Sequence, residues 1–151
     1  MSNTRTPLTL PFYLQETPDS CVPACLRMVL AGFGVEIAEA KLRELCDCTF
    51  EGTIALKAVD AVRQLGFAQT RKHTLTLAEL ETVVNNGNMP IVFVEMEPIN
   101  GIYQVHALVV TNVTPFSFQV LDPASGERII PRQVFQVAWE ARHHLTILVE
   151  N

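Results

Sequence analysis

Apolar residues recur at three- and four-residue intervals through the first half of the chain and at shorter, β-type intervals through the second. From Cys21, the positions Ala24, Cys25, Met28, Val29 and Ala31 trace one stripe, which predicts a helix buried along one face. Its start is set by Pro18, Asp19 and Ser20, which do not continue a helix from upstream, and by Pro23, which suits a first turn where a missing N–H costs nothing. Gly32 and Gly34 end it. Residues 36–45 repeat the amphipathic pattern through Ile37, Ala38, Leu42 and Leu45. Thr53 is placed to cap a third helix, whose stripe of Ala55, Ala58, Val59, Val62 and Leu65 closes at Gly66. A strand follows over 67–74. Thr76 and Glu79 then have the spacing of a capping box, with Leu75 free to staple onto Leu80, so a short helix should run to about Asn85.

From Pro90 onwards β-branched and aromatic residues replace the Ala/Leu texture. Strands are expected over 91–96, 104–112, 117–121, 127–130 and 145–150, with a one- or two-turn helix over 132–138. Helices first and an antiparallel sheet afterwards is an α+β domain of two lobes. Composition adds that 151 residues at 48% hydrophobic content suffice for one domain with an ample core. The net charge of -5, spread along the chain, offers no basic patch for nucleic acid or an anionic membrane surface. The opening MSNTRTPLTLP has neither the apolar run of a signal peptide nor that of an anchor, and no stretch reaches the length of a membrane span, so a cytoplasmic protein is expected.

Four cysteines, Cys21, Cys25, Cys46 and Cys48, raise a disulfide framework or a zinc site. A cytoplasmic chain of this size needs no staples, and Cys-x3-Cys with a distant Cys-x-Cys is poor spacing for structural zinc. No metal or organic cofactor is expected. Cys25 falls on the buried stripe and reads as a core residue; Cys46 and Cys48, after a helix, read as exposed thiols without a role.

Cys21 is different because of where it stands. Unpaired backbone N–H groups and the positive end of the helix dipole converge on a first turn and favour a thiolate, the nucleophilic form of the side chain. An oxyanion forming there could be held by the Cys21 N–H, with the side-chain amide of Gln15 as a second donor. His106 opens the run VHALVV and should be half-buried at the head of a central strand, where a general base with restricted hydration would sit. His73 in RKHT reads as a surface residue, and His143 and His144 as a rim. Asp122 ends the run SFQVLD before Pro123; if the two strands pair as a hairpin turning at 114–116, it comes near His106 and can orient the ring. Alone, each of the three also has a plain structural reading: packing for Cys21, a satisfied core histidine for His106, a turn carboxylate for Asp122. Their combination with Gln15 points to a thiol hydrolase.

In its spacing from Gln15 to Cys21, its GT at Gly52 and Thr53 before a helix ending QLGF, its HALVV at His106, its LDPASG at Asp122 and its closing VFQVAW, the chain resembles the bacteriocin-processing, double-glycine leader cysteine peptidases of the papain clan. The resemblance spans almost the whole chain. It implies a small papain-like fold in which a helical lobe carries the nucleophile and an antiparallel sheet carries His and Asp. It also implies Cys21 as nucleophile, His106 as base, Asp122 as orienting residue and Gln15 as oxyanion-hole donor. The sequence departs from the family in having Val22 where Gly usually follows the cysteine, and Ser20 where an acidic residue often precedes it. The best-known members are fused to an ABC transporter and cut after a double glycine in a leader peptide; this chain is expected to be a stand-alone relative. The leading expectation is a thiol endopeptidase acting on a peptide or protein substrate, including a leader peptide at a Gly-Gly or Gly-Ala junction. The same triad would serve a deamidase or acyltransferase, and a non-catalytic peptide-binding module or a structural subunit of an assembly are the readings from other classes. The cleft walls are expected from residues 50–52, residues 97–103 and Trp139.

Overall fold

The computed structural model describes residues 10–151. Six strands form one fully antiparallel sheet in the order β1-β6-β2-β3-β4-β5, with β1 Arg71–Thr74, β2 Ile91–Glu95, β3 Val105–Val113, β4 Ser117–Asp122, β5 Gly126–Pro131 and β6 Leu145–Leu148. Side chains of successive strand residues point to opposite faces. In β2 and β3 this sends Ile91, Phe93, Ala107 and Val109 to one side, and Val92, Val94, Leu108 and Val110 to the other. Both sets are buried, so the central strands carry a core on each face.

The first core is closed by α1 (Cys21–Gly32), α2 (Glu39–Leu45) and α3 (Ala55–Gln64). The periodicity predicts a helix buried along one stripe, whereas α1 buries Val22, Pro23, Leu26 and Leu30 as well as that stripe, of which Ala31 stays half-buried. The reason is its position between the sheet and the outer helices, which covers its second face too. The helix starts at Cys21 as the punctuation indicates. Its N-cap Ser20 makes no side-chain cap; the hydroxyl instead closes the preceding turn, accepting from Thr17 N (3.0 Å) and donating to Thr17 O (3.1 Å). Residues 36–38 stay outside α2, and Thr53 does not cap α3, whose N-cap is Ile54; the hydroxyl of Thr53 is buried without a hydrogen-bond partner.

The second core is closed by α4 (Leu77–Asn85) and α6 (Arg132–Glu140). The capping box at the start of α4 is complete: Glu79 N donates to Thr76 Oγ1 (3.1 Å) and Thr76 N to Glu79 Oε1 (2.9 Å). Under α6, Phe118 and Phe135 stack with ring centroids 4.0 Å apart, a contact worth about 1 kcal/mol beyond the area it buries. Trp139, expected on a cleft wall, is fully buried in this core, and His144, expected on a rim, lies parallel to its ring at 4.1 Å with Nδ1 bonded to Leu75 O. Left-handed backbone at His143 and His144 folds the chain back under the tryptophan. A four-residue helix α5 (Glu97–Asn100) occupies part of the segment expected as a loop, ended by Gly101 in the left-handed conformation.

Candidate active site

The hairpin of β3 and β4 turns at Thr114, whose N–H donates to Ser117 O, and aligns Val109 with Leu121. That register leaves His106, second residue of β3, and Asp122, last residue of β4, diagonal neighbours at the end of the ladder, close enough for side chains to meet. They do: His106 Nε2 lies 2.7 Å from Asp122 Oδ1, with the two side chains only 4% and 1% exposed. Asp122 is held on every side. Oδ1 also accepts from Ala124 N (2.9 Å), and Oδ2 accepts from Arg128 Nε (2.9 Å).

Cys21 completes the arrangement from the other layer. α1 packs against β3 and brings the Cys21 thiol beside the His106 ring, the two lining one cleft. Since Nε2 is taken by Asp122, Nδ1 is the ring nitrogen left to serve the thiol. Cys21 is partly exposed, and its N–H is among the first of α1, which have no acceptor within the helix. Burial works against charge on His106, but its hydrogen bond to Asp122, the adjacent Cys21 sulfur and the negative charges of both together raise its pKa from 6.5 to about 9. Burial likewise disfavours the Asp122 carboxylate, and it is outweighed by the bonds from His106, Ala124 and Arg128, which lower its pKa to about 2.

Gln15 lies six residues before Cys21 on a segment tied to the loop after Asp122 by Gln15 N donating to Pro123 O (2.7 Å). Its side-chain Nε2 donates to Thr17 O (2.8 Å) and Pro18 O (3.3 Å), while Oε1 is buried without a partner. The amide is therefore fixed over the turn that leads into α1. The other thiols stand apart. Cys25 is buried one turn along α1, its Sγ 3.5 Å from Ala107 O, and burial followed by the nearby Cys21 and Asp122 charges raises its pKa well above the usual thiol value. Cys46, expected to be exposed, is fully buried under α2 and pushed up to about 12 by burial first and by Cys48 and Asp47 after it. Cys48 is half-exposed, its Sγ 3.5 Å from Asp19 O.

An open cleft of about 480 Å³ runs beside Cys21 and His106. One wall is Glu51 to Leu56 and the other comprises Phe93, Val105 and Leu145, with Lys72 and Arg142 at its edge. Residues 97–103 do not line it. Arg128 is the site residue that motif reasoning passed over. Its signal is the hairpin itself: a turn at 123–125 pairs Arg128 with Val120, diagonal to Asp122 on the adjacent strand. Among the described residues, no group of three or more His, Cys, Asp or Glu side chains is arranged to hold a metal ion, and no helix is long and apolar enough to cross a membrane.

Residues 9–150 match the Peptidase C39 family. The chain is 32% identical over 123 residues, 79% of its length, to the transport/processing ATP-binding protein ComA of Streptococcus pneumoniae, and spans 16% of the length of that curated relative. The peptidase domain of Streptococcus ComA, a bifunctional ABC transporter involved in a quorum-sensing pathway, superposes with a TM-score of 0.74 at 28% identity, covering 95% of this chain and 99% of that one. A double glycine motif protease from an AMS/PCAT transporter, solved with its leader peptide, superposes with a TM-score of 0.77 at 20% identity, covering 95% and 93%. The fold is thus the papain-like one of these domains, an α+β arrangement of helices against an antiparallel sheet. The chain belongs to the peptidase C39 family and is a cysteine peptidase.

Proposed function

We propose that the 151 residues act as one cytoplasmic endopeptidase domain that removes a leader from a peptide precursor by cutting after a double glycine, with Cys21, His106, Asp122 and Gln15 as its machinery. The observation that carries the roles is the polarised His106, bonded at Nε2 to a buried carboxylate, with the Cys21 thiol beside it in the same cleft. The relatives that support the substrate are a protease named for its double-glycine motif and bound to a leader peptide, and a processing transporter. A Gly-Gly junction presents no side chain at the cut, leaving the residues before it to fill a cleft walled by Ile54, Leu56, Phe93 and Val105.

The steps follow from the geometry. His106 Nδ1 takes the Cys21 proton, and the thiolate attacks the carbonyl carbon of the second glycine. The oxyanion is held by the Cys21 N–H and by the Gln15 amide, which gives up its longer bond to Pro18 O. The His106 imidazolium then protonates the leaving amine, and the C–N bond breaks to leave a thioester on Cys21. A water deprotonated by His106 attacks the thioester, releasing the leader as a carboxylate and restoring the thiol. Asp122 keeps the ring proton on Nε2 throughout and stabilises the imidazolium.

The test is incubation with synthetic precursors carrying Gly-Gly, Gly-Ala and Ala-Ala at the junction, read by mass spectrometry. Cleavage after Gly-Gly by the wild type, absent in Cys21→Ala, is the expected result; cleavage unaffected by Cys21→Ala, or none of any precursor, rejects the proposal.

A further inference from the structure

The geometry points to Arg128 as a positioning residue for the His106–Asp122 pair: its guanidinium anchors the far oxygen of the carboxylate, so that the near one stays aimed at the imidazole. This rests on the triad roles proposed above. Asp122 has two oxygens and three donors. His106 and Ala124 share Oδ1, and Arg128 Nε alone serves Oδ2 at 2.9 Å. Without Arg128, Oδ2 would be an anionic oxygen on a side chain that is 1% exposed, with no other protein donor among the described residues. The carboxylate would then gain by rotating about its Cα–Cβ and Cβ–Cγ bonds toward water, and any such rotation takes Oδ1 off the His106 axis.

Arg128 is suited to this task by its place. It lies on the edge strand β5 opposite Val120, from which its side chain reaches diagonally to Asp122, and it is one-third exposed, so its charge remains partly solvated. It therefore supplies a directed N–H more than a strong field. Two opposite consequences separate these roles. If Arg128 acts only as a positive charge, deleting it makes His106 more basic. If it acts by aiming the carboxylate, deleting it weakens the Asp122–His106 bond and makes His106 less basic. The charged and titratable groups around the imidazole are Cys21 and Cys25 from α1 and Asp122 and Arg128 from β4 and β5. Glu51, Lys72 and Arg142 also line the cleft, and the substitution leaves them in place.

The readout is the pH dependence of alkylation of Cys21 in the intact protein, located by peptide mass, which needs no substrate. With iodoacetate, an anionic alkylator, the rate in the wild type should fall at high pH as the imidazolium that attracts the reagent is lost, and this fall should vanish in His106→Ala; if it does not, the triad proposal itself fails. Given that fall, Arg128→Met should move it down by about one pH unit, a tenfold loss of imidazolium on its flank. Arg128→Lys, which restores an N–H donor on a shorter reach, should recover part of that shift, and kcat on a cleaved precursor should drop with little change in KM. Circular dichroism of both variants checks the fold. A fall that stays in place or moves upward in Arg128→Met, or a Lys variant no better than Met, overturns the assignment while leaving the triad intact. Should the Met variant not fold, an Arg128→Lys profile identical to wild type in position and height would count against a directed bond, and a partial downward shift would support it.

Discussion

Asp122→Asn keeps the volume of the side chain and removes its charge, and the structure shows that no orientation of the amide satisfies the site. All three partners of Asp122 are donors: His106 Nε2 and Ala124 N on Oδ1, Arg128 Nε on Oδ2. With the amide oxygen toward His106, the NH2 faces Arg128. With the oxygen toward Arg128, the NH2 faces His106, turns Nε2 into an acceptor and moves the ring proton to Nδ1, where it can no longer accept the proton of Cys21. Asp122 provides the first of the influences that overcome burial in raising His106 from 6.5 to about 9, so its loss should lower that pKa by roughly two units. The high-pH fall in Cys21 alkylation by iodoacetate, an anion drawn by the imidazolium, should move accordingly from near pH 9 toward neutrality. Loss of kcat should reach about 10³- to 10⁴-fold, the scale of a wrong-tautomer histidine, and the unsatisfied donor should cost about 1–3 kcal/mol in urea unfolding at pH 6. A variant whose alkylation profile stays within half a unit of wild type, with kcat reduced less than about tenfold, would refute the claim that Asp122 sets the state of the ring.

The two coupled pKa shifts also predict a stability plateau. Asp122 is lowered from 3.8 to about 2, so its contribution is present above pH 3.8 and lost as pH falls through 2; His106 is raised from 6.5 to about 9, so its contribution is present below pH 6.5 and lost as pH rises through 9. Thermal unfolding should accordingly show its highest Tm between pH 3.8 and 6.5 as far as this pair is concerned, and the alkaline decline should disappear in His106→Ala. Brief treatment of the native protein with a small alkylator at pH 7 should label Cys21 and Cys48 and spare Cys25 and Cys46, which are buried and hard to ionise; peptide mass mapping reads this directly, and early labelling of Cys46 would contradict its place under α2. Thr76→Ala removes one half of the α4 capping box and should cost about 1 kcal/mol in urea unfolding without changing the alkylation of Cys21.

Where a signal is local, the sequence carries it. The α4 capping box sits within four residues, and the start of α1 is fixed by the Pro-Asp-Ser turn beside it, so both stand where the residues indicate. The hairpin that joins His106 to Asp122 is nearly as local, because one turn decides it. Features that depend on a third element are not legible. Burial of the second face of α1 comes from α2 and α3, the disappearance of Cys46 from the surface from the same packing, and the stacking of His144 on Trp139 from a reversal in left-handed backbone that two histidines do not advertise. Thr53 has the residue type of a cap but adjoins the Thr49–Gly52 bridge, and the helix begins two residues later. The helix α5 is a single turn, shorter than any apolar period could reveal. Arg128 is invisible to motif reasoning because its role exists only across the β4–β5 ladder.

The position of β6 bears on when the site can exist. The last strand in the chain is not at an edge; it lies between β1 and β2, bonded to both, so the sheet that supports His106 has a gap until this segment arrives. During synthesis Cys21 leaves the ribosome long before its partner histidine, and the histidine in turn before the strand that joins the two halves of its sheet. A thiol nucleophile loose in a half-made chain would be a hazard to its neighbours. Here the site draws on distant stretches of sequence, and its geometry waits on the strand that joins the two halves of the sheet.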